Sequence, residues 1–315
     1  MIRYNLNMQV PAALKAINYT DQLVFAGSCF SEHISNRLSD LGFQVNALPN
    51  GIVFHPLSVL EPFKRILSGN DFTEDDLIFH NGYWHGIYHH GSFSETTVTE
   101  TLHRMNHNLH QLKRDLTKAS HLFLTFGTAW TYALKSDGRV VANCHKVPQA
   151  EYSKSLLSLE EMEVACQSVF SQLQQHYPQL QIVLTVSPVK HLRDGVAENL
   201  HSKSLLLVLC HRVRKQMPNI DYFPAYEIVN EDLRDYRFFE SDGAHPNSMA
   251  IDCVMEKFAG SACNVVTKDY IRDMGDFNKL CAHKVQREGS EAYIRFMATI
   301  EQKRAQLSAL YQVEL

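Results

Sequence analysis

The chain has 315 residues, 45% of them hydrophobic and 20% charged, with a formal net charge of −4. That length suits one large domain with at most a small appendage, and so weak a charge gives no field that would gather nucleic acid or an anionic membrane. No apolar run approaches the ~20 residues of a membrane span, the opening MIRYNLNMQVPAALKA lacks the pattern of a secretory signal, and seven scattered cysteines without CxxC argue against a disulfide framework or structural zinc, so a reduced, cytoplasmic protein is expected.

Residues 1–20 read as an irregular arm. Residues 23–26 (LVFA) form a short apolar run that predicts a buried strand. Gly27-Ser28-Cys29 then makes a turn into a helix that begins near Ser31 or Glu32 and carries Ile34, Leu38 and Leu41 on one stripe. Ser28 and Cys29 therefore stand where a strand hands over to a helix. Free N–H groups and the helix dipole gather there, an environment that favours a thiolate or an oxyanion. The plainer alternative is a small buried apolar cysteine.

Residues 43–48 (FQVNAL) alternate as a second strand and break at Pro49-Asn50-Gly51. Residues 55–67 predict a helix with Pro56 near its start, kinked or divided at Pro62. The segment 68–97 is rich in glycine, aromatic residues and histidine. His85, His89 and His90 have a spacing that a helix would turn into a metal face, but Gly82, Gly86 and Gly91 among them favour edge strands or a lid. Residues 99–116 form a polar helix.

Residues 121–126 (HLFLTF) are the best candidate for a central strand. After Gly127-Thr128-Ala129-Trp130 come two runs, 131–134 and 139–143, joined across Ser136-Asp137-Gly138, a hairpin signal. The second ends in Asn143-Cys144-His145-Lys146, read either as part of a site or as a solvated hairpin end. Ser158 and Glu161 make a capping box for a helix over 158–176. A strand at 181–186, a helix at 201–216 and a last strand near 222–225 follow. In Ser241-Asp242-Gly243-Ala244-His245-Pro246-Asn247, Asn247 caps a helix over 248–258 and holds an acid–x–x–His pair at its entrance. An imidazole oriented by a carboxylate is what a nucleophile needs. The tail holds a charged segment from about 265 and a helix over 290–310.

Strands that alternate with helices predict an α/β protein with a mostly parallel sheet covered on both faces, and sites at the carboxyl ends of its strands. Hairpin insertions, including one at about 68–97, decorate a domain over 1–262. Residues 263–315 form a C-terminal helical extension.

Five stretches taken together, FAGSCFSEHI, NGIVFHP, LTFGTAWTY, VVANCHKVP and SDGAHPN, resemble the GSCFA domain family, a branch of the SGNH/GDSL hydrolase-like superfamily, over roughly residues 20–260. The resemblance implies a three-layer α/β/α, flavodoxin-like fold and acyl ester chemistry without a cofactor or metal. It places Cys29 where the superfamily has its serine nucleophile, with Asp242 and His245 as acid and base. Gly51 and Gly127 fall in the oxyanion blocks, and Ser28, Asn143 and His145 would line the oxyanion or substrate site. The third block reads Gly127-Thr128-Ala129 and lacks the asparagine usual there; Asn143 would have to supply its amide. The expected function is an esterase or acyltransferase acting on a carbohydrate-type or other small polar ester, with Ser28 as the alternative nucleophile. The alternative function is a catalytically silent binding protein, with Trp84 and Trp130 as a stacking platform.

Overall fold

The computed structural model describes residues 6–283 and 289–315. The chain runs β1 (Gln22–Gly27), α1 (Cys29–Asp40), β2 (Gln44–Ala47), α2 (Pro56–Ser68), β3 (Leu77–His80), β4 (Tyr83–Gly86), α3 (Val98–Leu116), β5 (His121–Phe126), β6 (Trp130–Leu134), β7 (Val140–Val141) and β8 (Tyr152–Leu156). It continues with α4 (Leu159–His176), β9 (Gln181–Val186), α5 (Val196–Gln216), β10 (Ile220–Tyr222), a short turn α6 (Ala225–Glu227), α7 (Ser248–Ala262), α8 (Val265–Ala282) and α9 (Glu291–Tyr311).

Among the described residues the main sheet has five strands in the order β10-β9-β5-β1-β2, every pairing parallel. β5 is the central strand, and all six of its residues are buried, as an apolar run covered on both faces requires. Helices α2, α3, α4 and α5 close one face through Phe63, Leu112, Phe170 and Leu206. Helices α1, α7, α8 and α9 close the other through Ile34, Phe258, Tyr270 and Leu307. The result is the three-layer α/β/α fold. From β1 the chain steps outward to β2, then crosses back to β5 on the other side of β1. The strand order reverses between β1 and β5, and in such sheets a ligand crevice opens at that point.

The segment 68–97 contributes the antiparallel pair β3–β4 rather than a helix, so its histidines do not share a helical face. The Asp-Gly turn makes the hairpin β6–β7. β8, which the sequence reading left out, pairs with the other edge of β6 from Trp130↔Leu156 to Leu134↔Tyr152. The charged segment after residue 265 is a full helix, α8, whose Tyr270, Met274 and Phe277 are buried. The arm before β1 is tied down at Ile17, which bridges to Cys263.

Of the expected kink or division at Pro62, the division does not occur: α2 runs continuously from Pro56 to Ser68. A proline inside a helix leaves the carbonyl four residues earlier without its N–H, here Ser58. The side-chain amide of Asn50 donates to that carbonyl at 3.1 Å and to Tyr88 O at 3.2 Å. The loop after β2 thus repairs the helix and is fixed by it.

Candidate active site

Cys29 is the first residue of α1, with Ser28 as N-cap. Gly27 makes this turn possible. It has φ +129°, and a Cβ there would stand 2.1 Å from Thr125 O on β5. The Cys29 backbone N–H lies in the first turn, where no intrahelical acceptor exists. The helix entrance was expected to favour a thiolate. Burial instead raises the Cys29 thiol above its ordinary value, with Glu32 adding to the rise; the N–H groups of Cys29 and Phe30 and the charge of Lys203 pull the other way. The resting group is a thiol that needs a base. Ser28, the alternative nucleophile, is fully buried and its hydroxyl has no partner among the described residues.

The segment after β2 crosses the carboxyl ends of β1 and β5. Val53 N–H donates to Gly27 O at 3.0 Å, and the N–H groups of Gly127 and Thr128 donate to Phe54 O at 2.7 and 3.2 Å. Gly51 has φ +75°, and a Cβ on it would lie 2.4 Å from the Cβ of His90. Its N–H donates to Leu48 O at 2.8 Å. The backbone donors suggested by the sequence at Gly51 and Gly127 are therefore spent on internal carbonyls. Thr128 is held to α5, where Ser202 Oγ lies 3.0 Å from its hydroxyl and accepts the Ala129 N–H at 2.7 Å.

Asp242 and His245 sit on the loop before α7. His245 Nδ1 is 2.6 Å from Asp242 Oδ2, and Asp242 Oδ1 accepts the N–H groups of Ala244 and His245 at 2.8 and 3.0 Å. These three donors hold the carboxyl well below the usual carboxylate range. With Nδ1–H committed to Asp242, Nε2 of His245 is the acceptor. The loop joins the one after β9: Lys190 N–H donates to Ala244 O at 3.1 Å and its Nζ to Gly243 O at 3.2 Å.

Asn143 Oδ1 accepts the N–H of His145 at 2.8 Å, and His145 Nε2 donates to Gly86 O at 3.0 Å. His145 stacks on His85 with centroids 4.6 Å apart. Burial is the main cause that lowers its pKa to about 4. Asn143 and His145 thus brace the β3–β4 module, and the His145 Nδ1 is left buried and without a partner among the described residues. Among the described residues no three His, Cys, Asp or Glu side chains form a metal cluster.

Two residues of the site escaped the sequence reading. Lys203 on α5 is 1% exposed and donates to Gly127 O at 2.6 Å and Ser187 O at 2.7 Å, joining the ends of β5 and β9. Burial lowers its pKa to about 7, opposed by Cys29. A signal existed: Asn199, Ser202 and Lys203 lie on the same helical face as Leu206, Leu209, Cys210 and Val213, all buried, and a lysine on an apolar stripe needs an internal partner. The second is His191, whose backbone N–H donates to Asn199 Oδ1 at 2.8 Å and whose ring meets Phe54 edge-on at 5.1 Å.

No curated protein matches the sequence. Solved structures align with it at low identity, two esterases among them. An acetyl xylan esterase (Est2A) from the rumen bacterium Butyrivibrio proteoclasticus shares 10% identity with a TM-score of 0.39, over 82% of this chain and 66% of its own. A carbohydrate esterase family 3 protein from Talaromyces cellulolyticus shares 7% identity with a TM-score of 0.36, over 81% of this chain and 99% of its own. The protein thus spans slightly less than two thirds of the Est2A chain. The GSCFA family profile matches residues 22–258, a span that starts with β1 and contains Cys29, Gly51, Gly127, Asp242 and His245; the chain belongs to the GSCFA family.

Proposed function

We propose that the protein is a cysteine-based acyl-transfer enzyme, an esterase or acyltransferase that takes a small polar ester such as an acylated carbohydrate. The observation that carries the reading is the 2.6 Å contact between His245 Nδ1 and Asp242 Oδ2, on a loop hydrogen-bonded through Lys190 to the segment after β9. The raised Cys29 thiol fits it, because a protonated nucleophile gains most from a base.

In this reaction His245 Nε2 takes the Cys29 proton as the sulfur attacks the ester carbonyl. The C–S bond forms and the carbonyl electron pair moves onto oxygen, where the Cys29 N–H donates to it. Collapse of the intermediate breaks the C–O bond, and His245 returns the proton to the leaving alcohol. Water or an acceptor hydroxyl then attacks the thioester, deprotonated by the same imidazole, and the thiol is regenerated. Asp242 keeps the ring in the required tautomer throughout.

The buried, unpartnered Ser28 hydroxyl favours Cys29 as the nucleophile. For the silent-binding alternative, one face of the Trp130 ring is already taken by Lys154 Nζ, 4.3 Å from its centroid. The test is intact-mass analysis after exposure to p-nitrophenyl acetate. One acetyl group on Cys29 is expected in wild type and S28A, and none in C29A. An adduct that persists in C29A, or a wild type with neither adduct nor ester turnover, overturns the reading.

A further inference from the structure

The oxyanion that Cys29 would generate is short of donors. Oxyanion sites aim preorganised hydrogen-bond donors at the developing charge. Here the N–H of Ser28 goes to Thr125 O at 3.2 Å, that of Gly51 to Leu48 O and that of Gly127 to Phe54 O. Of the N–H groups of Ser28, Cys29, Gly51 and Gly127, that of Cys29 is the one not given to a backbone carbonyl among the described residues. Beside them stands a polar atom with the opposite problem. His191 Nε2 is buried without a hydrogen-bond partner among the described residues, a state that costs free energy and calls for an explanation. It lies 3.1 Å from where a Cβ on Gly127 would be, over the carboxyl end of β5, where the sheet reverses its strand order.

The His191 backbone is fixed by its N–H to Asn199 Oδ1, and its ring packs T-shaped against Phe54. The next residue back, Lys190, ties the same loop to Gly243 and Ala244 beside His245. Burial lowers the His191 pKa to about 3, and Lys203 and His245 add to the effect. The imidazole is therefore neutral near pH 7. A neutral imidazole donates one N–H without carrying a charge that would repel the protonated His245.

We infer that His191, through Nε2–H, is the side-chain donor to the oxyanion formed on attack by Cys29, in the place left without an asparagine at Gly127-Thr128-Ala129. The inference rests on Cys29 as the nucleophile. It gives the site a second donor besides the Cys29 N–H, from the loop after β9 rather than from the hairpin at Asn143. The lack of a Cβ at Gly127 is then functional: an alanine there would press on the donor nitrogen.

Two reagents that react at one sulfur separate the possibilities. Acylation of Cys29 by p-nitrophenyl acetate passes through an oxyanion, whereas alkylation by iodoacetamide does not. H191F keeps an aromatic ring against Phe54 and removes the nitrogen; H191Q returns an amide donor. In H191F the acylation rate should fall by about 10²–10³, while alkylation stays at the wild-type rate and so reports an intact thiol and fold. H191Q should recover much of the loss, and neither variant should move the pH at which acylation rises. Acylation of H191F at the wild-type rate overturns the inference alone, as does an equal fall in acylation and alkylation. A wild-type Cys29 that is alkylated but never acylated overturns the nucleophile reading, and the inference with it.

Discussion

The side-chain amide of Asn50 occupies the hydrogen-bonding place that Pro62 leaves empty, donating to Ser58 O at 3.1 Å inside α2. The two residues belong to different elements, yet each makes sense of the other. Removing Asn50 leaves a buried carbonyl unpaired, at about 1–3 kcal/mol. In P62A the helix supplies its own N–H, and the same removal should cost less. A double-mutant cycle on N50A and P62A, read by urea unfolding, should show coupling of about 1 kcal/mol or more. Additive effects would remove the proposed repair.

Asp242 fixes the tautomer of His245 by accepting its Nδ1–H. In D242N the amide can present a donor to that nitrogen, which favours the tautomer with Nε2 protonated and so unable to act as a base. Ester turnover should fall by about 10²–10⁴ in both D242N and H245A, the range of a lost general base. The carboxyl is held well below its usual range, so the acid limb of a turnover profile will not be that of Asp242. A D242N variant with full turnover would leave the pair without a catalytic role.

Lys203 is expected to leave a mark on stability. Its pKa is lowered to about 7 by burial, while the unfolded lysine stays protonated up to about pH 10.4. Between these values the unfolded state binds more protons, so stability gains from this residue as pH rises from about 7 towards 10, and its burden is fully present below 7. K203M should lose that slope, with a cost of about 1–3 kcal/mol for each carbonyl left unpaired at Gly127 and Ser187. Thermal unfolding at pH 7 and pH 9.5 measures both effects. The same pH dependence in wild type and K203M would refute the assignment.

His55, His89 and His145 are buried, and burial is the main cause that lowers their pKa values to about 4, 3 and 4. Unfolded histidines take a proton near pH ~6.5. Above that pH these residues are neutral in both states and contribute nothing. As pH falls from about 6.5 to 4 the unfolded state gains protons that the folded state refuses, and each histidine can withdraw roughly 3 kcal/mol. The protein should unfold in mild acid with cooperative uptake of several protons. Replacing His89 by Phe, which keeps a ring beside Phe72 and Phe93, should lower the proton uptake by about one. Acid unfolding of wild type without such uptake would count against the buried, neutral histidines.

Much of the frame is written in local patterns. The HLFLTF run is the central strand because an apolar stretch of that length has to be covered on both faces. The Ser158–Glu161 box closes reciprocally at the start of α4, and the Asp-Gly turn fixes the hairpin at β6. The missed elements owe their structure to distant partners. Residues 152–156 are half polar and become β8 by pairing with β6. Residues 265–282 look charged in sequence, but place Tyr270, Met274 and Phe277 on one buried stripe. The Asp242–His245 pair is a local motif and could be read directly. The setting of Cys29 could not: its burial, the spent N–H groups of Gly51 and Gly127, and the nearby charge of the buried Lys203 exist only once the strand ends are side by side.

The tyrosine stack at the far side of the sheet bears on where this protein can be cut. Tyr19, before β1, stacks on Tyr270 of α8 with centroids 4.6 Å apart, and its hydroxyl donates to Tyr311 O at 3.0 Å. Tyr270 in turn meets Phe43, at the entry to β2, and Tyr311 at the end of α9. The family match stops at residue 258, inside α7 and short of these partners. A fragment trimmed to the matched span would carry every proposed catalytic side chain, yet it would bare Phe43 and the outer faces of α1 and α7 to solvent. Recombinant work on the chemistry therefore calls for the chain through Tyr311, since the shorter piece is expected to precipitate rather than turn over substrate.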